Sequence, residues 1–349
     1  MKKFLIFMLI LTSTFTLAGC RRDRGSPAAE AQHGEPTGRL VIYTSIYEDV
    51  IEAMERILSR QFRNADIVFS YGGTGHIQAR IAAEEAAGRL GCDMTMVAEP
   101  SYSLELRERG MLHSFRSPEA PHLAFEYCPD GYWYPVRISN MVLAYNPERY
   151  RPDQIPHSLY DFAHDTRVRG AISKSNPLTS GTAMATVTAL RDKYGYEYFD
   201  ALGRQNVMVE SGSVALTKLE TGECMIIMVL EESVLKKREE ERSSLTVIYP
   251  SDGTVVIPST VAIINDNWNA NRNIESAEML ANWFLGPDGQ NAIVDGWMHS
   301  VRTNFPRTPF DAAPTEQIRA NSMPVNWENV FRQRADIRAR FEELVTARR

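Results

Sequence analysis

Short apolar runs that end in hydroxyl- and glycine-rich turns, each turn opening an amphipathic segment, recur along most of this chain, and that order leaves few folds open. Arg39-Leu-Val-Ile-Tyr-Thr44 has the composition of a buried strand. Val50, Ile51, Met54, Ile57, Leu58 and Phe62 then follow at helical spacing over 48–62. Asp66-Ile-Val-Phe-Ser-Tyr71 is a second strand that ends in Gly72-Gly-Thr-Gly75 and opens a helix through Ile77, Ile81 and Ala86. Gly91 to Val97 is a third strand, and 103–110 a short helix with glycine at its C-terminus. Tyr132 to Arg137 and Met141 to Tyr145 read as long connecting strands. The alternation restarts with a strand at 170–173, a turn at Thr179-Ser-Gly-Thr182, and a helix through Met184, Val187, Leu190 and Tyr194. A helix at 214–219, a buried strand at 225–229, a charged helix at 233–242 and extended segments at 246–250 and 255–263 come next. Helices near 274–285 and 288–297 precede a last one at 325–345, with Trp327, Phe331, Ile337, Phe341 and Leu344 on one face. Such alternation predicts parallel sheets with helices on both faces.

The 349 residues provide roughly two domains' worth of chain, at about 150 residues each. The formal charge of -6 argues against a general nucleic-acid binder, which needs a phosphate-neutralising surface. It leaves open a small-anion site, which is a local arrangement of donors. Lys2 and Lys3, an apolar stretch from Phe4 to Leu17, and then Leu17-Ala18-Gly19-Cys20 follow the order of a secretory signal. That stretch is shorter than the about 20 residues a transmembrane helix needs. Small residues before a cysteine resemble the bacterial lipoprotein box, so residues 1–19 are expected to be removed and Cys20 to be the lipidated N-terminus. Residues 20–38, rich in Arg, Gly, Pro, Ala and Glu, are expected to form a flexible tether. The remaining cysteines, Cys92, Cys128 and Cys224, can form at most one bridge, with Cys92 and Cys128 in the same lobe; three buried free thiols are the expectation.

Candidate chemistry lies in the turns. Tyr43-Thr-Ser45, Gly73-Thr-Gly75 and Ser180-Gly-Thr182 each place hydroxyls and glycine where a strand passes into a helix, and Ser211-Gly-Ser213 repeats the design. First-turn N–H groups, hydroxyls and the positive end of the helix dipole together bind an anion without Lys or Arg. Any one of these turns is also an ordinary N-cap. Four of them at the C-terminal ends of strands in two lobes point to a shared ligand site. Glu231 and Glu232 follow a buried strand, which puts one of them near a cleft; the alternative is that both favour a helix N-terminus. His76 stands beside the glycine turn, where a solvated loop histidine is as good a reading as a ligand contact.

Enzyme signatures are weak. Ser233-Val-Leu-Lys236 matches the Ser-x-x-Lys of penicillin-recognising enzymes, but no Lys-Thr-Gly follows and the serine lies on a charged helix. There is no Gly-x-Ser-x-Gly elbow, His-Glu-x-x-His, Cys-x-x-Cys or Walker loop.

From Leu40 to about Phe305 the chain resembles the extracellular solute-binding proteins of ABC importers, near the branch of ferric-ion-, phosphonate- and hexose-phosphate-binding proteins. The stretches that carry the likeness are Val41-Ile-Tyr-Thr-Ser45, Gly72-Gly-Thr-Gly75, Asp93-Met-Thr-Met-Val97 and Asn176-Pro-Leu-Thr-Ser-Gly-Thr182. Asp192-Lys-Tyr-Gly-Tyr-Glu-Tyr-Phe199, Tyr249-Pro-Ser-Asp-Gly253 and Ile257-Pro-Ser-Thr260 add to it. The resemblance implies a two-lobed α/β periplasmic-binding-protein fold of type II, closing on solute about hinge crossings near 136–146 and 247–259. Lobe 1 is expected to comprise 39–138 and 256–349, and lobe 2 residues 139–255. Ferric-ion binders of this kind carry adjacent tyrosines after the strand that here ends at Val229; this sequence has Leu230-Glu231-Glu232-Ser233 instead. Tyr47 falls near a first-loop iron ligand of those proteins and keeps iron as an alternative. The hydroxyl-rich turns look more like the phosphate cradle of hexose-phosphate binders, with Glu231 accepting hydrogen bonds from sugar hydroxyls; an amine-bearing phosphonate would also suit that carboxylate.

The expected protein is a monomeric, lipid-anchored, non-enzymatic binding subunit of an ABC importer, at the periplasmic or extracellular face of the cell envelope. It needs no cofactor and delivers a small anionic organic solute, foremost a sugar phosphate, to a permease with its ATPase. Thr44, Ser45, Thr74, Gly75, Ser180, Gly181, Thr182 and Ser213 are expected to hold the anion and Glu231 to orient the rest. A ferric-ion shuttle, an envelope hydrolase and an adhesive surface lipoprotein are the alternatives.

Overall fold

The computed structural model describes residues 35–347, so the signal segment, Cys20 and most of the tether lie outside the described residues. Ten strands form one sheet: β1 (Gly38–Thr44), β2 (Ala65–Tyr71), β3 (Met94–Val97), β4 (Leu112–His113), β5 (Tyr134–Tyr145), β6 (Ile172–Ser175), β7 (Met208–Glu210), β8 (Ile226–Leu230), β9 (Thr246–Ile248) and β10 (Val255–Ile264). The first helices are α1 (Glu48–Gln61), α2 (Thr74–Ala86), α3 (Pro100–Glu108) and α4 (Leu159–His164). They are followed by α5 (Gly181–Tyr194), α6 (Glu197–Arg204), α7 (Gly212–Thr221) and α8 (Glu231–Glu240). The last are α9 (Ile274–Leu285), α10 (Pro287–Asp295), α11 (Thr315–Ala320), α12 (Trp327–Arg332) and α13 (Arg334–Phe341). Among the described residues no helix is long and apolar enough to cross a membrane.

The strand order is β2-β1-β3-β10-β5-β8-β6-β7, with β4 on β10 and β9 on β5. The outer strands pair in parallel: β1 with β2 and β3, and β6 with β7 and β8. The centre differs from the all-parallel expectation. β5 and β10 run antiparallel to each other and to their outer neighbours, because one carries the chain from the first half of the sheet to the second and the other brings it back. The two connecting strands read from the sequence are one strand, β5, whose twelve residues are all buried. Beside Pro258, which has no N–H for the ladder, the β5–β10 register shifts between Ser259 and Thr260; Arg137 lies opposite Ser259 at this crossing.

Alternation along the strands places side chains in cores on both sheet faces. Met141, Leu143 and Tyr145 of β5 point into one cluster with Phe162, Met184 and Phe199, while Val142 and Ala144 point into another with Leu216 and Val229. In the first half Leu40 and Ile42 pack with Met54, Met94 and Phe284, and Tyr43 faces Ile81, Val97 and Leu106 on the opposite side.

The C-terminal segment departs from the sequence reading twice. The single helix expected at 325–345 is broken at Gln333 into α12, which Asn326 caps, and α13, with a π-helical turn over Glu342–Thr346. Its apolar residues Val330, Ile337, Phe341 and Leu344 lie in the core of the second half, although 256–349 was grouped with the first. Arg332 and Arg334 reach back to Glu108 and Glu105 on α3 at 2.8 and 2.5 Å, so the segment touches both halves. Cys92, Cys128 and Cys224 are buried free thiols; burial pushes those of Cys92 and Cys224 up, the latter to about 12.

Candidate solute site

Parallel strands on both sides of the crossing point their C-terminal ends at one cavity of about 420 Å³. The first half supplies Ser45 and Tyr47 after β1, Tyr71 to Thr74 and His76 after β2, and Ala98 after β3. The second half supplies Ser175, Asn176 and Thr179 to Thr182 after β6, Glu210 to Gly212 after β7, and Leu230 and Glu232 after β8. Arg137 of β5 completes the lining.

Of the helices that begin at this cavity, α2, α5 and α7 open from the hydroxyl- and glycine-rich turns. Gly73 is the N-cap of α2 and offers no side chain to its first-turn N–H groups. At α5 the Ser180 Oγ accepts from the Ala183 N–H at 3.2 Å and lies 3.0 Å from Thr182 Oγ1. At α7 the Ser211 Oγ accepts from the Val214 N–H at 3.3 Å. Ser180 and Ser211 are therefore caps, and Gly181, Thr182 and Gly212 at the starts of these helices line the cavity. By contrast, the buried Ser45 Oγ and Thr74 Oγ1 have no hydrogen-bond partner among the described residues. Buried hydroxyls are ordinarily satisfied, so both of these remain available to an acceptor.

The expected residues divide between the cavity and the surrounding fold. Ser45, Thr74, Ser180, Gly181 and Thr182 line the cavity, and Thr44, Gly75, Ser213 and Glu231 do not. Thr44 Oγ1 donates to the Met96 carbonyl and accepts from the Ile46 N–H, both at 3.1 Å, and so braces β1 against β3. Gly75 donates its N–H to the Thr179 carbonyl at 3.2 Å and joins the two halves beside the cavity. Ser213 is exposed, 3.1 Å from Ser211 Oγ. Glu231 is spent on the fold: Asn140 Nδ2 and His299 Nε2 lie 2.9 and 3.1 Å from Oε2, and Tyr249 donates its hydroxyl to Oε1.

Its neighbour Glu232 is the carboxylate that faces the cavity. Ser139 Oγ donates to Glu232 Oε1 at 2.8 Å, and Arg137 Nη1 lies 3.8 Å from the same oxygen. Burial raises the Glu232 carboxyl above its usual range, opposed by the Arg137 charge, and burial lowers Arg137. Glu210 is already engaged by Ser173 Oγ at 2.7 Å and Lys218 Nζ at 3.0 Å. Tyr47 Oη accepts from Ser233 Oγ at 3.3 Å, and burial pushes the phenol up to about 12. That bond also accounts for Ser233, which the Ser-x-x-Lys spacing had flagged. Among the described residues no three His, Cys, Asp or Glu side chains gather to hold a metal ion.

Arg137 and Glu210 were missed in the sequence. A guanidinium inside the apolar run Tyr132-Trp-Tyr-Pro-Val-Arg137 is a usable signal, because arginine is seldom fully buried without a partner. Glu210 gave no such signal.

A sequence profile of the family described as bacterial extracellular solute-binding protein matches residues 92–331. No curated protein matches the chain. Among solved structures, the periplasmic binding protein AfuA from Actinobacillus pleuropneumoniae with fructose 6-phosphate bound is 20% identical, with a TM-score of 0.76 over 88% of this chain and 99% of that one. Iron-bound HitA from Pseudomonas aeruginosa is 18% identical, with a TM-score of 0.75 over 88% and 99%. A periplasmic thiamin binding protein is 14% identical, with a TM-score of 0.71 over 89% and 99%. The fold shared with these structures is the type II periplasmic-binding-protein fold.

Proposed function

The chain belongs to the bacterial extracellular solute-binding proteins of ABC importers, and from that premise we propose that it captures a sugar phosphate. The observation that carries this reading is the convergence of three helix N-termini on one cavity that also holds two unpartnered buried hydroxyls, Ser45 and Thr74. A phosphate group offers acceptor oxygens and negative charge to such a cradle without needing a lysine. The fructose 6-phosphate held by AfuA supports the choice. The orienting role first given to Glu231 passes to Glu232, which faces the cavity. The two halves of the sheet act as lobes that close about β5 and β10, and the closed form is what the permease recognises. Cys20 carries the lipid anchor.

Iron is the weaker reading. Tyr47 lines the cavity, but its buried phenol holds its proton up to about 12, and Glu210 is already paired with Lys218. Thermal-shift measurements with hexose phosphates, aminoalkylphosphonates, inorganic phosphate and ferric citrate separate the readings. A ligand at about 100 times its dissociation constant adds about 2.7 kcal/mol to the folded state. Stabilisation by ferric citrate alone, with a visible charge-transfer band, would overturn the sugar-phosphate reading.

The cradle has its own test. Ser45→Ala and Thr74→Val are each expected to weaken hexose-phosphate binding by about tenfold or more. Neither hydroxyl has a partner among the described residues, so the melting point of the unliganded protein stays the same. Ser180→Ala differs, because it removes the α5 cap and costs about 1 kcal/mol of unliganded stability. Calorimetric titration alongside unliganded melting curves checks all three. Unchanged affinity in the first two variants would remove Ser45 and Thr74 from the site.

A further inference from the structure

We propose that Arg137 is a solute-binding residue that donates from Nε to a hydroxyl group on the solute, at the end remote from the phosphate. The inference rests on the sugar-phosphate reading and deepens it.

Arg137 is 3% exposed and lines the cavity from the crossing strand β5. One edge of its guanidinium is committed to the protein: Nη1 donates to Ser139 Oγ at 2.9 Å and to Met298 Sδ at 3.0 Å. The Nε–H has no partner among the described residues. A buried charged donor left empty is costly, and the fold holds this one rigidly in place rather than turning it toward water.

The neighbour decides what fills the vacant donor. Glu232 also lines the cavity, with Oε1 3.8 Å from Arg137 Nη1 and held by Ser139 Oγ. A second oxyanion brought to Arg137 would meet that carboxylate as well, and the repulsion would offset the attraction. A solute ammonium would suit Glu232 but not Arg137. A hydroxyl suits both, because its oxygen accepts from Nε–H while its proton is free for the carboxylate. The solute is therefore anionic at the helix N-termini and neutral and hydroxylated at the Arg137–Glu232 end. Bisphosphates, dicarboxylates and aminoalkylphosphonates fit less well.

Calorimetric titration of the purified protein with glucose 6-phosphate, fructose 6-phosphate and ethyl phosphate tests this, using wild type, Arg137→Lys and Arg137→Met. Lysine keeps the buried charge and lacks Nε; methionine removes both. Wild type is expected to bind at least one hexose phosphate more tightly than ethyl phosphate. Both variants are expected to lose roughly 30-fold in affinity for that hexose phosphate and to keep ethyl phosphate within about twofold, as neither substitution touches the helix N-termini that hold the phosphate. Equal losses for both kinds of phosphate would assign Arg137 to the anion or to the fold and overturn the inference. Unchanged hexose-phosphate affinity in Arg137→Lys would overturn it too, with the sugar-phosphate reading intact. A wild-type protein that ignores every phosphate would overturn that reading and this inference with it.

Discussion

Gly181→Val is expected to weaken solute binding about 100-fold while the unliganded protein keeps its fold. Gly181 opens α5 on one side of the cavity, and the other side approaches it closely. A Cβ placed there would stand 2.8 Å from Thr74 Oγ1, 3.1 Å from Thr74 Cβ and 3.2 Å from Ala98 Cβ. Gly75 shows the same closeness from the other half of the sheet, where a Cβ would lie 3.0 Å from the Leu178 carbonyl oxygen and 3.2 Å from Thr179 Cα. The two glycines let the halves of the sheet approach each other closely beside the cavity. Gly181 is needed for that approach and not for its own backbone, since its φ lies outside the left-handed range. Valine is a better helix former than glycine, so α5 is not weakened. The clash of roughly 3 kcal/mol falls where the two halves approach each other, and under the proposed hinge closure a lower population of the closed state raises the apparent dissociation constant in proportion. Titration calorimetry gives the affinity, and small-angle scattering should show that the ligand-induced compaction of wild type is missing. Wild-type affinity in the variant would mean that the bound state does not bring Gly181 against Thr74.

The outer strands and their helices were legible because each is a local pattern: an apolar run, a Ser, Thr or Gly turn, then apolar residues at helical spacing. β5 was read as two strands because Ser139 and Asn140 interrupt its apolar run. Those two polar residues are buried and bonded to Glu232 and Glu231, partners more than ninety residues away that no local pattern announces. The turns that line the cavity were legible for the reason the strands were, since an N-cap and the turn before it are neighbours in sequence. What remained hidden was phase. Thr44 and Ser45 sit together at the end of β1, and only the packing of β1 on β3 decides that the first braces the sheet and the second faces the cavity. The choice between Glu231 and Glu232 is a matter of about 100° of helix rotation, which the docking of α8 on β5 fixes. Pattern finds the turn; tertiary contacts select the side chain.

Lys174→Met is expected to stabilise the protein increasingly as the pH falls, by about 5 kcal/mol more at pH 6 than at pH 11. Lys174 lies in β6 with 2% of its surface exposed. Its Nζ donates to the Ser175 carbonyl at 2.9 Å and sits 4.7 Å over the Phe341 ring. Burial lowers the ammonium from 10.5 to about 7, which corresponds to about 5 kcal/mol of differential stability. Between these two values the unfolded chain holds a proton that the folded protein has released, so wild-type stability rises with pH across that window. Below about 7 both states are charged and the full cost of burying the ammonium is present; above 10.5 both are neutral and it is gone. Methionine has a similar shape and no charge, so the variant lacks this slope. Every other group titrates alike in the two proteins, and the difference between their urea-unfolding free energies isolates Lys174. A difference that stays flat from pH 6 to 11 would mean that the ammonium is solvated or paired in solution. The same ammonium holds the Ser175 carbonyl where β6 becomes the cavity wall. Lys174→Met should therefore loosen the loop at 176–180 and give a more stable protein with a poorer cradle.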